Sequence, residues 1–295
     1  YFRNNWNRAH QNPTSVTLFD GFDRVTEIEV WKLQTSSGTE DTDVRRAAAV
    51  VDLGESVDLL RDADDYTQAT LPGETLDQYD QSDMEALRDG DTKVSSYVET
   101  AGNLEQPLGS QDIVEGKFKK LERGRDYQID NRLGFLSLKQ RLRSNEALAI
   151  AFRYRADNEV RKVGDFSGDQ GGSGGGINAD RLVLKLLRPP NPIAPGEDAT
   201  SEPAAWFLEM RNIYRLSGRG FNADNFELDV EYNRSGQGAT TTLPEVAGQQ
   251  PLLQALGLDR VNQNGALNPD NQFDFTPLTI NSEDGLLYFP YLEPF

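Results

Sequence analysis

The 295-residue chain has no cysteine and a single histidine, His10. The first absence excludes thiol catalysis, zinc–thiolate sites, iron–sulfur clusters and disulfides, and a chain of this length needs no disulfide staples. The second closes off His-based metal triads and most general-base schemes. Long apolar runs are also missing. No window approaches the roughly 18 residues of a spanning helix, although the alternating signal of a barrel strand is too short and weak for that test. Positive charge is scarce: 30 Lys and Arg face 48 Asp and Glu, for a net charge of -18. No Lys/Arg cluster supplies the basic surface that displaces counterions from phosphate, so nucleic acid is not an expected partner. An anionic membrane face is disfavoured on the same ground.

Catalytic motifs are equally thin. The stretch Gly171–Gly175, GGSGG, has the outline of a nucleophile elbow. An elbow needs a strand before it, a helix after it and a later histidine, whereas here the flanks are glycine and His10 lies upstream. Residues 167–176, SGDQGGSGGG, read as a flexible linker or loop. No Walker or dinucleotide glycine motif is present. Paired-carboxylate chemistry has no address, because with 48 acids close pairs are expected everywhere. No catalytic, cofactor-binding or metal residue is assigned, and no cofactor is expected. One loop invites a weighing. Asn262–Asp274, NQNGALNPDNQFD, gathers Asn262, Asn264, Asn268, Asp270, Asn271 and Asp274, oxygen donors of the kind Ca²⁺ takes. It lacks EF-hand spacing, and Asn and Asp gather in turns for reasons of their own. Both readings stay open.

What the chain does offer is β pattern. Val25–Trp31 alternates, with Thr26, Ile28 and Val30 on one side and Glu27, Glu29 and Trp31 on the other, the mark of a strand with one wet face. Ala47–Leu53 is a second apolar run, and Asp58–Gly109 is a polar, acidic excursion with a short helix expected around Asp83–Arg88. In Ala147–Tyr154 the large residues Leu148, Ile150, Phe152 and Tyr154 share one face. Ala147, Ala149 and Ala151 share the other, which predicts a strand covered on both faces. Trp206–Leu216 reads as a long strand and Phe226–Tyr232 as a strand with one wet face. A short helix is expected near Leu252–Leu256. Two hairpins echo each other, Ile129–Leu136 and Ile280–Leu287, each with its glycine five positions after the isoleucine.

The predicted organisation is an entry segment over 1–24, a first β module over 25–166, a Gly-rich linker over 167–180 and a second β module over 181–295. The chain opens at Tyr1 with no charged and apolar leader pattern and ends on LEPF, as expected of a piece cut from a longer polypeptide.

Several segments together resemble the SprA/Sov family of gliding-motility and cell-surface proteins: YFRNNWNRA, VTEIEVWKLQT, AAAVVDLGE, GFLSLKQRLRSNEALAIAFRYR with KVGDFSGD, LVLKLLRP, WFLEMRNIYRLSG, FELDVEYN, LLQALGLDRVNQN and DGLLYFPYLEPF. The resemblance runs in order along nearly the whole chain and fades over Asp58–Gly109 and the Gly-rich segment. It implies the outer-membrane translocon of the type 9 secretion system, a very large β-barrel of Bacteroidetes-like bacteria that passes folded cargo to the cell surface. On that footing the chain is a non-enzymatic, internal part of such a protein. Its fold is expected to be mainly β, as β-sandwich-like extramembrane modules inserted in, or adjoining, the large barrel, with a few short helices. Implied partners are the remainder of the translocon chain, a PorV-like shuttle protein, a plug protein and cargo with a C-terminal sorting domain. The implied location is the outer membrane, on its periplasmic or cell-surface side. Trp206–Tyr232 holds the best candidates for barrel wall. The alternative is a calcium-dependent adhesion or carbohydrate-binding β module of a secreted protein.

Overall fold

In the computed structural model the described residues are 5–6, 9–10, 24–35, 43–51, 53, 87–88, 111–156, 159–168, 181–193, 204–233, 235–236, 238–242, 249–291 and 294. The fold is mainly β and divides into two compact units. One comprises Tyr1–Asn5 and Gly21–Glu209, the other Trp6–Asp20 and Met210–Phe295.

The described strands of the first unit are β1 (Arg24–Leu33), β2 (Val44–Val50), β3 (Ile113–Leu121), β4 (Tyr127–Asp130), β5 (Phe135–Leu138), β6 (Leu148–Ala156), β7 (Glu159–Val163) and β8 (Leu182–Arg188). The main sheet runs β1-β3-β2-β8-β6-β7, and β1 also pairs with β6. That extra pairing joins the two sides of the sheet, so β1, β3, β2, β8 and β6 form a small closed five-stranded barrel. Neighbours are antiparallel except β2 and β8, which run parallel from Ala47↔Leu182 to Val50↔Lys185.

Closure explains the alanines. Five strands enclose a narrow space, since barrel diameter grows with strand number. The inward residues are Trp31 and Leu33 from β1, Ala47 and Ala49 from β2, Val114 and Phe118 from β3, Ala147, Ala149 and Ala151 around β6, and Leu182, Leu184 and Leu186 from β8. Trp31 lies across from Ala149, which also pairs with Leu186. One large ring therefore faces the smallest side chain able to hold a strand. The outward residues of β6 form a second core. Leu148, Ile150, Phe152 and Tyr154 pack with Val25, Val30 and Val163 beneath the β4–β5 hairpin, which contributes Tyr127, Ile129, Leu136 and Leu138. The strand expected to be covered on both faces is so covered.

Where the sheet was expected to lie as one of two facing layers, it curls and closes on itself. Val25–Trp31 also departs from the one-wet-face pattern. A bulge between Val25 and Glu27 shifts the alternation, and Trp31 is 1% exposed inside the barrel. The module boundary at the Gly-rich segment is displaced too. Leu182–Arg188 does not begin a second module; β8 fills the gap between β2 and β6. The 3-10 turn Ala204–Leu208 supplies Ala205 and Leu208 to the same core, so the first unit extends to Glu209.

The second unit contains β9 (Ile213–Arg215), α1 (Leu252–Ala255), β10 (Ile280–Asn281) and β11 (Leu286–Tyr288), with the strands in the order β10-β11-β9. The helix expected near Leu252–Leu256 is α1. The long strand expected over Trp206–Leu216 is the 3-10 turn followed by a strand of 3 residues. The stretch Phe226–Tyr232 alternates through Val230, with Leu228 and Val230 packed on Leu253, Leu258, Leu287 and Phe289, and exposes Tyr232. It joins no described ladder beyond the bridge of Tyr232 to Thr240. No described element of Trp206–Tyr232 reaches the roughly 9–11 residues of a membrane-spanning strand.

The two hairpins share one turn geometry. Asp130 pairs with Phe135 and Asn281 with Leu286, so each loop spans the same four positions and ends on a glycine with positive φ, Gly134 (76°) and Gly285 (66°). The carboxylate of Asp130 accepts from the N–H of Arg132 and Leu133, and the side chain of Asn281 accepts from the N–H of Asp284. The first hairpin stands as a two-stranded sheet, whereas the second extends through β11 onto β9.

Candidate functional site

The first unit concentrates its buried charge where the barrel is sealed. β6 turns away from β8 to pair with β7, which opens a gap filled by the residues after β7. Asp165 accepts from the N–H of Val183 (3.0 Å) and donates its own N–H to the Val183 carbonyl (2.7 Å), so it completes the ladder with one side-chain and one backbone bond. Its carboxylate also receives the Arg88 guanidinium through two bonds of 2.9 Å. Leu87, beside that arginine, is seated on Ala48, Val50 and Val183 of the outer barrel face. Of the helix expected around Asp83–Arg88, Leu87 and Arg88 are described and helical; the rest of Asp58–Gly109 lies outside the described residues.

Phe166 enters the barrel core and the Arg153 guanidinium lies 4.5 Å from its ring centroid. Arg153 also pairs with Glu27. The Glu29 carboxylate accepts from Lys120 (2.5 Å), the Ser167 N–H (2.8 Å) and the Ser167 hydroxyl (2.7 Å). Lys32 pairs with Glu146 at 3.0 Å. Burial opposes the charge on Glu146, but the N–H of Arg143 and the Lys32 ammonium outweigh it and hold the carboxyl below its usual range. These groups neutralise one another in ion pairs and hydrogen bonds. Sequence reading missed this set, because its members come from β1, β3, β6 and the turn after β7, and nothing local marks them as neighbours.

The two faces of the barrel differ in character. Its interior is apolar and filled, and the outward rows of β2 and β3 carry Arg46, Glu115, Lys117 and Lys119. A lipid-facing barrel has an apolar outer band around a polar interior. Among the described residues, no helix is long and apolar enough to cross a membrane.

In the second unit the Asn/Asp loop spends its oxygens on itself. Asn262 Oδ1 accepts from the N–H of Asn264 and Ala266, and the Asp270 carboxylate from the N–H of Gln263 and Gln272. Asp259, 1% exposed, accepts from the N–H of Asp270 and Asn271. The Asp274 carboxylate accepts from the N–H of Arg260 and Val261. Burial pushes its pKa up, those two N–H groups pull it down, and the Asp259 and Asp270 charges push it up further. The arrangement is that of carboxylates shaping a turn. No group of three or more His, Asp or Glu set to hold a metal occurs among the described residues.

His10 and Trp6 are both helical and belong to the second unit. The His10 ring is 4.4 Å from that of Trp6, and its Nδ1 is 2.8 Å from the Trp6 carbonyl. The Gly171–Gly175 motif lies outside the described residues. No family model matches the chain, and no curated protein matches it.

Proposed function

We propose that the chain is a non-catalytic, extramembrane portion of a SprA/Sov-like type 9 secretion translocon, the outer-membrane conduit that passes folded cargo to the cell surface and supports gliding motility. The observation that carries this reading is the apolar, filled interior of the five-stranded barrel together with the charged outward residues of β2 and β3. A packed interior conducts nothing and a charged exterior does not sit in lipid. Conduction therefore belongs to the wall of the large parent barrel, and the units here stand beside or between its strands as extramembrane modules. The mutually neutralised charge clusters favour a structural role over turnover. The resemblance named above supplies the family, and with it the remainder of the translocon chain, the shuttle, the plug and the sorting-domain cargo as partners.

The test uses an antiserum raised against this chain in the bacterium that encodes it. Detection of a very large outer-membrane polypeptide, whose depletion traps cargo with C-terminal sorting domains in the periplasm, is the predicted result. Detection of a free secreted protein, or depletion that leaves cargo export unchanged, would overturn the assignment.

A further inference from the structure

His10 is the chain's sole histidine, and the chain has no cysteine. It is therefore the one side chain whose ordinary pKa lies between pH 5 and 8. Its surroundings are those of a neutral ring. The Trp6 carbonyl can only accept, so Nδ1 carries the proton in their 2.8 Å bond, which leaves Nε2 as the bare nitrogen. Nε2 is buried and makes no hydrogen bond. Protonation would place a charged N–H there with water excluded. The Leu278 backbone favours the charged ring, against burial and the Arg260 charge.

The charged group that acts on the ring is Arg260, whose guanidinium donates to the His10 carbonyl. It tethers His10, and its charge opposes a second cation beside it. Behind it, the Arg260 N–H is held by Asp274 at 2.7 Å. The Trp6 indole N–H donates to the Pro290 carbonyl at 3.1 Å, and Trp6 is 2% exposed. These hydrogen bonds and the buried aromatic pair fasten Trp6 and His10 to the rest of the second unit, with a titratable ring inside the fastening.

The geometry points to the Trp6 and His10 pair as an acid-released latch on the rest of the second unit, closed while His10 is neutral and opened by its protonation. Burial lowers the His10 pKa, and the Arg260 charge adds to that against the opposing backbone contacts of Trp6 and Leu278. In the open form the ring titrates near its ordinary value of about 6.5. Between that value and the lower one of the closed form, the open form binds the extra proton. Each pH unit of acidification in that window therefore shifts the latch toward open by up to about tenfold. The latch is fully held above about pH 6.5 and weakens below it.

Two measurements on the full chain test this. Because there is one histidine, its Cε1–H resonance needs no assignment, and its pH titration gives the pKa directly. A midpoint below 6.5 is expected; a midpoint at or above that value overturns the latch whatever a variant does. Hydrogen exchange over residues 5–10 is then compared at pH 7.5 and pH 5.0, corrected for intrinsic rates. Wild type should lose protection on acidification, by up to about thirtyfold between pH 6.5 and 5.0, and His10→Gln, which cannot take up a proton, should lose clearly less. Equal loss in the two proteins, or none in wild type, would overturn the proposal.

Discussion

Trp31 and Ala149 face each other inside a closed barrel, both buried to 1% or less, so their volumes must trade against one another. Ala149→Leu adds an isopropyl group where the neighbours are Trp31, on one side, and Leu186, on the other. Over-packing of this kind costs about 1–3 kcal/mol. Trp31→Leu leaves a void and should cost about 3 kcal/mol, at the low end of the range for truncating a buried Trp. Combined, the added leucine branch fills part of the void left by the indole. The double variant should then be more stable than the sum of the single changes by about 1–2 kcal/mol, within the usual range for contacting residues. Urea unfolding followed by far-UV circular dichroism reports this without relying on the fluorescence of the replaced indole. The two units are fitted as separate transitions, since a chain with two compact units need not unfold in one step. Additivity within about 0.5 kcal/mol would mean that the two side chains do not share one enclosed space, and the closed-barrel packing would be refuted.

Three further outcomes follow from individual sites. A Cβ on Gly285 would stand 2.0 Å from the Gly218 carbonyl oxygen, whereas one on Gly265, also at positive φ, meets nothing within 4 Å. Gly265→Ala should therefore cost about 1 kcal/mol and Gly285→Ala clearly more; equal shifts in thermal midpoint would contradict the structure. Asp165→Ala removes the acceptor for Arg88 and for the Val183 N–H, and should cost the first unit about 2–4 kcal/mol. A loss under about 0.5 kcal/mol in thermal unfolding would show that the seal between β6 and β8 does not depend on it. Asp274 has a raised pKa, so the folded state holds its proton more tightly than the unfolded chain does. Acidification from neutrality through the raised value toward the ordinary one of about 3.9 should then favour wild type increasingly over Asp274→Asn. A difference in stability that stays flat or shrinks over that range would reverse the sign of the argument.

The fold was legible where the pattern is local. The two apolar rows of Ala147–Tyr154, the shared turn of the hairpins and the helix at Leu252 all follow from spacing within a dozen residues. Closure was not legible, because it rests on β1 meeting β6 more than a hundred residues later. The alanines of β6 announced a close neighbour but not that the neighbour was β1, the far edge strand of the same sheet. β8 was placed in the wrong module because a Gly-rich run precedes it, and composition marks a loop without saying whether the chain returns to the same core. Trp206 and Leu208 alternate as a strand would, yet they belong to a 3-10 turn that lends Ala205 and Leu208 to the barrel. The stretch Phe226–Tyr232, as far as Val230, shows that period-two burial needs only an extended chain on a core, with no ladder partner. The ion pairs of Asp165 and Glu29 were invisible for a different reason. In a chain with 48 acids, only tertiary structure selects the few that are buried.

The most direct test of the account is whether this chain lives in water or in lipid. Expressed alone and purified without detergent, it should be recovered in solution. The backbone amide spectrum should be well dispersed, and the amides of Ala149, Ile150 and Ala151 should be the slowest to exchange. Recovery only in detergent or lipid, with those amides protected there alone, would contradict an extramembrane barrel with a packed apolar interior.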